Sequence, residues 1–182
     1  MTKIKEILER LGITAQNTLF TLAFFTGTIF TYFEIDLYRL TFIPIYIPLL
    51  IWTFSGLAFT PVFRKKLPKY LITHIKKGHL FYQFIFNTLA WGGIVLYLFM
   101  WLNFHFAGRQ QFKAELRSIE DGNYWERHER DPYPYRVVNY KGINKTLIFS
   151  QDTFAYELYT VTVVLRKGLF GFDIIESKTL SK

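Results

Sequence analysis

Three long stretches without Asp, Glu, Lys or Arg dominate the first part of the chain: residues 11–33, 40–63 and 78–108. A bilayer core of roughly 30 Å is crossed by about 20 apolar residues in helical form. Each stretch is long enough for one crossing. The pattern predicts three transmembrane helices within residues 13–108.

A short amphipathic pattern precedes the first stretch. Ile4, Ile7, Leu8 and Leu11 recur at i, i+3, i+4 and i+7, with charged residues between them. This spacing places the apolar side chains on one face of a helix. Residues 1–12 are therefore predicted to form an N-terminal helix that lies on the membrane surface or docks against a partner helix.

Small and polar residues inside the predicted membrane helices are candidates for helix packing. Threonines in the first stretch are spaced by 4, 3, 7 and 3 residues, which keeps them on one helix face. Such residues let helices approach closely, although a Thr hydroxyl also bonds to its own helix backbone. The predicted packing residues are Thr14, Thr18, Thr21, Thr28, Thr31, Gly56, Asn87, Gly92 and Gly93.

The chain after the third stretch is more polar and changes its periodicity. Phe112, Leu116 and Ile119 keep a helical spacing, and Gly122 supplies a stop signal, so residues 109–122 are predicted to form a helical stalk.

Residues 123–182 combine a polar, proline-broken loop at 123–136 with strand-like alternation from residue 136 onward and turn signals at 141–144 and 167–171. They predict a small antiparallel β domain of about four strands. The fold class is thus membrane α-helical with an extracytoplasmic β domain.

Positive charge is concentrated in one loop, residues 64–79. The chain carries a formal net charge of +8, and this loop contains six Lys or Arg and no Asp or Glu. Short basic loops stay in the cytoplasm, so the N-terminus is predicted to be cytoplasmic, while the turn at 34–41 and the β domain face outward. Two readings remain open for the loop, a topology signal alone or contact with anionic lipid headgroups. Its basic residues are Arg64, Lys65, Lys66, Lys69, Lys76 and Lys77.

An aromatic and basic cluster occupies the polar loop between the stalk and the first strand. Tyr, Trp and Arg are enriched at protein interfaces, and this favours a partner-binding surface. The alternative is that the rings lie in the lipid headgroup layer. The candidate partner-binding residues are Tyr124, Trp125, Arg127, Tyr133 and Tyr135.

Composition argues against most catalytic chemistry. The chain has no cysteine, so disulfides, thiol catalysis and thiolate-bound metals are excluded. It also lacks the spaced His and carboxylate motifs of zinc and di-iron sites. We therefore expect a protein that is not an enzyme and that uses no metal or cofactor.

Hydrophobic residues make up 51% of the chain and aromatic residues 20%, which suits a membrane protein. We expect a subunit that anchors or assembles a multiprotein cell-envelope complex, such as a secretion or transport machine in the bacterial inner membrane. Its expected partners are the lipid bilayer, other membrane or envelope proteins and, as a homo-oligomer, further copies of itself, but not nucleic acid. The alternative is an oligomeric channel or transporter for ions or small molecules.

Overall fold

The computed structural model describes residues 15–63, 79–124, 133–150 and 160–181. These residues form two compact units. A helical unit comprises residues 15–36 and the described part of Ile45–Trp101. A β unit comprises Leu37–Pro44 and the described part of Leu102–Lys182.

Three helical segments are present among the described residues. They are α1 (Ala15–Arg39), α2 (Tyr46–Phe63) and a third composed of α3 (His79–Asn87), a π-helical turn (Thr88–Gly92) and α4 (Gly93–His105). The turn predicted at 34–41 begins later, because α1 continues as helix to Arg39. The predicted N-terminal helix at 1–12 and the basic loop residues from 64 to 78 lie outside the described residues.

Two of these segments are long and apolar enough to cross a membrane by length and composition: Thr18–Arg39 and Leu80–His105. The apolar helix Tyr46–Val62 is shorter. With 18 residues, α2 is about 27 Å long at 1.5 Å per residue, close to a hydrocarbon core of roughly 30 Å.

The β unit holds a six-stranded antiparallel sheet rather than the four strands predicted. Its strands are β1 (Thr41–Phe42), β2 (Gln111–Tyr124), β3 (Tyr133–Tyr140), β4 (Ile143–Ile148), β5 (Thr160–Lys167) and β6 (Asp173–Ser181). Their order across the sheet is β1-β6-β5-β2-β3-β4. The two predicted turns are present as β3–β4 and β5–β6 hairpins.

The helical stalk predicted at 109–122 is wrong, because β2 occupies Gln111–Tyr124. Three apolar residues gave the helical spacing, but Phe112 and Ile119 are exposed and only Leu116 is buried. β2 pairs with β5 along one part and with β3 along the other. The backbone N–H and C=O groups of β2 therefore bond to two neighbouring strands instead of within a helix. This tertiary pairing overrides the helical spacing of the three apolar residues.

The first strand, predicted to begin at Arg136 after the loop at 123–136, begins earlier, because residues 133–136 form the first half of β3. Across from them, Tyr124 pairs with Tyr133 and Gly122 with Tyr135. Pro134 is compatible with a strand here because prolines are tolerated near strand starts and edges.

The core of the β unit draws on nearly every strand. Val138, Val161, Val163 and Leu165 are fully buried in it, and Phe42 from the connection between α1 and α2 packs with them. β1 pairs with β6 through Thr41↔Ile174 and Phe42↔Asp173. The short connection after α1 is therefore part of the sheet that is otherwise built from the C-terminal half of the chain.

Candidate functional site

Glycines form the closest contacts between helices in the helical unit. A Cβ added at Gly27 of α1 would overlap the carbonyl oxygen of Ala90, and a Cβ added at Gly93 would overlap the carbonyl of Gly27. Gly56 and Gly92 are also buried against neighbouring helices. Small residues at such crossings let helix backbones approach closely. Gly27 was not selected from the sequence, although a lone Gly in an uncharged helical stretch is a signal of close packing.

A buried polar cluster lies between α2 and α3. Gln83 and Asn87 are 1% and 0% exposed and lie one helical turn apart. The Asn87 side-chain amide donates to the Thr60 hydroxyl at 3.3 Å, and the Gln83 amide donates to the Thr60 carbonyl at 3.4 Å. Both hydrogen bonds link the two helices. The side-chain oxygens of Gln83 and Asn87 accept no hydrogen bond in the described part of the chain.

The threonine stripe of α1 lies only partly on the face that packs against the other described helices. Thr18 and Thr28 are exposed, and the Thr28 hydroxyl donates to the carbonyl of Phe24 in its own helix. Thr31 is half-buried beside Gly93 and donates to the Gly27 carbonyl. The buried face of α1 instead runs through Phe20, Ala23 and Gly27 and reaches Glu34. Thr21 is half-buried, and Thr14 lies outside the described residues.

Lys145 links the two edges of the sheet. It lies on β4 and is 6% exposed, and its Nζ donates to the carbonyl oxygens of Tyr38 and Thr41, the latter at 2.9 Å. The Nζ also lies 3.9 Å from the centre of the Tyr38 ring. Burial lowers the pKa of Lys145 to about 8. Alternation along β4 places Lys145 on the same inner face as Leu147, and this signal was present in the sequence.

A second polar group surrounds Asp173 at the start of β6. Its carboxylate accepts from the Tyr140 hydroxyl at 2.9 Å and from the Lys141 Nζ at 2.8 Å. The hydrogen bond to Asp173 raises the pKa of Lys141 to about 12, and burial raises the pKa of Tyr140. The Phe42 and Tyr140 rings lie 4.7 Å apart. These contacts join β1, β3 and β6, so the sheet curls round its core.

The structure places one of the predicted partner-binding rings within its own hairpin. Tyr135 lies over Gly122, where a Cβ would approach the Tyr135 hydroxyl oxygen to 2.6 Å, and its hydroxyl donates to Glu120 at 3.4 Å. A ring packed over a glycine stabilises a cross-strand pair. Tyr133 is half-buried. Trp125 and Arg127 lie outside the described residues, as does the side chain of Tyr124.

Asn103 of α4 is a further buried polar residue that the sequence did not single out. It is 1% exposed, its Oδ1 accepts from the backbone N–H of Phe170 at 3.0 Å, and its backbone carbonyl accepts from the N–H of Leu169 at 3.2 Å. Its amide also donates to the carbonyl of Phe172 at 3.4 Å. Asn103 therefore holds the β5–β6 turn through three hydrogen bonds.

All six basic residues of the loop at 64–79 lie outside the described residues, so the choice between lipid contact and topology signal stays a prediction. Within the described ranges no group of three or more His, Asp or Glu side chains is arranged to hold a metal ion. The sequence matches no protein-family model, no curated protein and no solved structure.

Proposed function

We propose that this chain is a non-enzymatic integral membrane subunit that anchors or assembles a multiprotein cell-envelope complex of the secretion or transport type. Its helices anchor it in the bilayer, and its β unit contacts partner proteins outside. We further propose a bacterial inner membrane with the N-terminus in the cytoplasm.

The observation that carries this proposal is the surface of the helices. Ile29, Phe54 and Phe81 are 52%, 62% and 62% exposed, and many other large apolar side chains on α1, α2 and α3 are exposed with them. Soluble proteins rarely expose contiguous apolar patches of this kind. A bilayer is the medium in which such a surface is stable.

The sheet supports the expected direction of the chain. Because β1 pairs with β6, the connection after α1 and the C-terminal half of the chain belong to one unit. Two segments in one unit lie on the same side of a membrane. One predicted crossing separates each of these two segments from the basic loop. If the charge of that loop keeps it in the cytoplasm, both segments lie on the outer side, as expected.

The contacts within the helices favour an assembly subunit over a channel. A channel formed by this chain would have to line its path with polar side chains of the helices, such as Asn87 and the threonines of α1. Asn87 is fully buried against α2, whereas Thr18 and Thr28 face outward. The buried amide fits a role in holding the helices together, while the outward threonines are available to a helix of another subunit.

The test is a mild-detergent purification of the tagged chain from its native membrane, followed by native mass spectrometry. We expect partners in fixed stoichiometry. A pure homo-oligomer would replace the assembly role with the channel, and a monomer without partners would overturn both.

Two variants at one position locate the interface. Tyr135→Phe keeps the ring over Gly122, whereas Tyr135→Ala removes it. If the aromatic surface binds a partner, the partner is retained by the first variant and lost by the second and by Trp125→Ala. Ile119→Ala, at an exposed apolar position on β2, is the matched control and should retain the partner. Loss in the Ile119 control as well would show general damage to the β unit.

A further inference from the structure

The turn between β5 and β6 carries exposed apolar side chains. Leu169 is 51% exposed and Phe170 is 44% exposed. Most other large hydrophobic side chains on the strands are buried in the core of the β unit. Turn residues in water are normally small or polar, so two large apolar side chains at a hairpin tip indicate a contact with an apolar medium.

The backbone of this turn is fixed to the end of a helix that is apolar enough to cross a membrane. Asn103 accepts from the backbone N–H groups of both Leu169 and Phe170. Gly168 makes room for this contact, because a Cβ at that position would overlap the Asn103 side-chain amide. The position of the turn along α4 is therefore set by hydrogen bonds.

Asn103 lies two residues before the end of the candidate span Leu80–His105. At 1.5 Å per residue, this places it about 3 Å from the last helical residue. The polar headgroup layer on each side of a bilayer is roughly 5–8 Å thick. In a bilayer crossed by this span, the turn would lie near the level where the hydrocarbon core gives way to headgroups.

Basic side chains flank the turn. The backbone N–H of Gly108 donates to the carbonyl of Lys167 at 2.9 Å. This hydrogen bond holds the segment that leads into β2, which includes Arg109, beside Lys167 at the end of β5. Both side chains are exposed. Cations at this level interact favourably with lipid phosphates while their aliphatic stems lie along apolar surface.

We propose that the β5–β6 turn is a lipid-contacting element, in which Leu169 and Phe170 insert into the interface of the bilayer and Lys167 and Arg109 contact its phosphate groups. This inference rests on the proposed membrane location of the helices. It adds a second attachment of the β unit to the bilayer, besides the covalent link through α4.

Site-directed spin labelling tests the inference, and the chain has no native cysteine to remove. Three single variants of the full chain, Phe170→Cys, Ile119→Cys and Ile29→Cys, are labelled with a nitroxide. Each is reconstituted in vesicles of phosphatidylcholine and phosphatidylglycerol. Collision of the label with oxygen, which partitions into lipid, is compared with its collision with a water-soluble nickel chelate.

We expect the ratio of oxygen to nickel collisions to be several-fold higher at position 170 than at position 119. Ile119 is 61% exposed on the same unit and is the aqueous reference, while Ile29 on α1 is the lipid reference. Leu169→Cys provides a second label site in the turn if Phe170→Cys fails to fold. Replacing both Lys167 and Arg109 with Gln should lower the ratio at position 170 in these anionic vesicles.

The possible failures are distinguishable. A water-like label at position 170 together with a lipid-like label at position 29 overturns the inference and leaves the proposed membrane location intact. A label at 170 that is shielded from both reagents means that protein covers the turn, which also overturns it. A water-like label at position 29 overturns the membrane location itself.

Discussion

The helical unit and the β unit distribute apolar and polar side chains differently between interior and surface. Between the helices, Gln83 and Asn87 are almost completely buried while Phe54 points outward. In the β unit, Val163 and Leu165 are completely buried, and the alternating positions of β5 are more exposed. The helical unit buries polar and small residues together with apolar ones such as Phe20 and exposes many of its aromatic side chains, whereas the β unit has the apolar core of a water-soluble sheet.

This difference indicates which force holds each unit together. In water, burial of apolar area contributes roughly 25 cal/mol per Å², and the valine and leucine core of the sheet uses this term. Lipid tails are as apolar as leucine, so helices in a bilayer gain nothing from burying leucine. They associate through close packing at small residues and through hydrogen bonds between helices. The glycine contacts are of this second type, and so is the buried polar cluster of Thr60, Gln83 and Asn87, called the Thr60 cluster below.

The largest effect is expected from placing a charge on the outer surface of the helical unit, and the same change on the β unit is the control. Ile29→Lys puts an ammonium group at the centre of the candidate span Thr18–Arg39. On insertion scales, Ile→Lys at a helix centre costs about 3–4 kcal/mol. Ile119→Lys makes the same substitution on an equally exposed isoleucine of β2 and should change stability by less than about 0.5 kcal/mol. The integrated fraction after alkaline extraction of membranes measures the first effect, and thermal unfolding measures the second.

Equal tolerance of the two substitutions would contradict the comparison, since a helix exposed to water accepts lysine as readily as a strand does. A strong effect at Ile119 alone would mean that the β unit, rather than the helices, has the apolar environment.

The helices could be located from the sequence because a run without charges is a strong and continuous signal. Residues 78–108 contain the helical segment His79–His105, and residues 11–33 overlap most of α1, which continues to Arg39. The π-helical turn at Thr88–Gly92 could not be predicted. It lies where Ala90 contacts α1 and Gly92 contacts α2. We attribute the π-helical turn to these contacts between helices, which are not visible in the local sequence.

The β unit could be predicted only where local signals suffice. The Lys141-Gly142 turn has positive φ at both residues, and this requirement is readable as a hairpin signal. β1 has two residues and exists only because β6 lies beside it. Likewise, β2 was mistaken for a helix because its hydrogen bonds go to β3 and β5, which are distant in sequence.

A second prediction compares a glycine at a helix crossing with a small residue on the outer surface of a helix. Gly27→Leu would force its side chain into the backbone of Ala90, which cannot move without shifting the π turn. Overpacking of this kind costs about 1–3 kcal/mol or more. Ala58→Leu, at an exposed position on α2, is the control and should have little effect. The free energy of unfolding of each variant in mixed detergent micelles checks this, and equal losses would show that the two positions do not differ in packing.

A third prediction concerns the one buried lysine that bridges the edges of the described sheet. Because the pKa of Lys145 is about 8 in the folded chain and 10.5 is its ordinary value, the folded state binds fewer protons than the unfolded state above pH 8. Stability should therefore rise with pH through the window from 8 to about 10.5. Between pH 7 and pH 9 the rise is about 1 kcal/mol.

Variants separate Lys145 from other groups. Lys145→Met should flatten the rise in the thermal midpoint between pH 7 and pH 9. Burial also lowers the pKa of Lys178, so Lys178→Met is the matched control and should keep the slope that Lys145 produces. The pKa of Lys141 is raised to about 12, and it therefore stays protonated throughout this range. An unchanged slope in Lys145→Met would exclude the buried ammonium group as its source.

The smallest effect is expected for the hydrogen bond between Asn87 and Thr60, and it is the sharpest test of how the helices associate. Asn87→Leu and Thr60→Val each remove one partner, and the double variant removes both, so the cycle isolates their coupling. Hydrogen bonds between membrane helices average about 0.6 kcal/mol, because the separated helices also find polar partners. We expect a coupling of this size from unfolding in detergent micelles. A coupling near zero would mean that the Thr60 cluster is buried without holding α2 to α3, and that the glycine contacts alone carry the association.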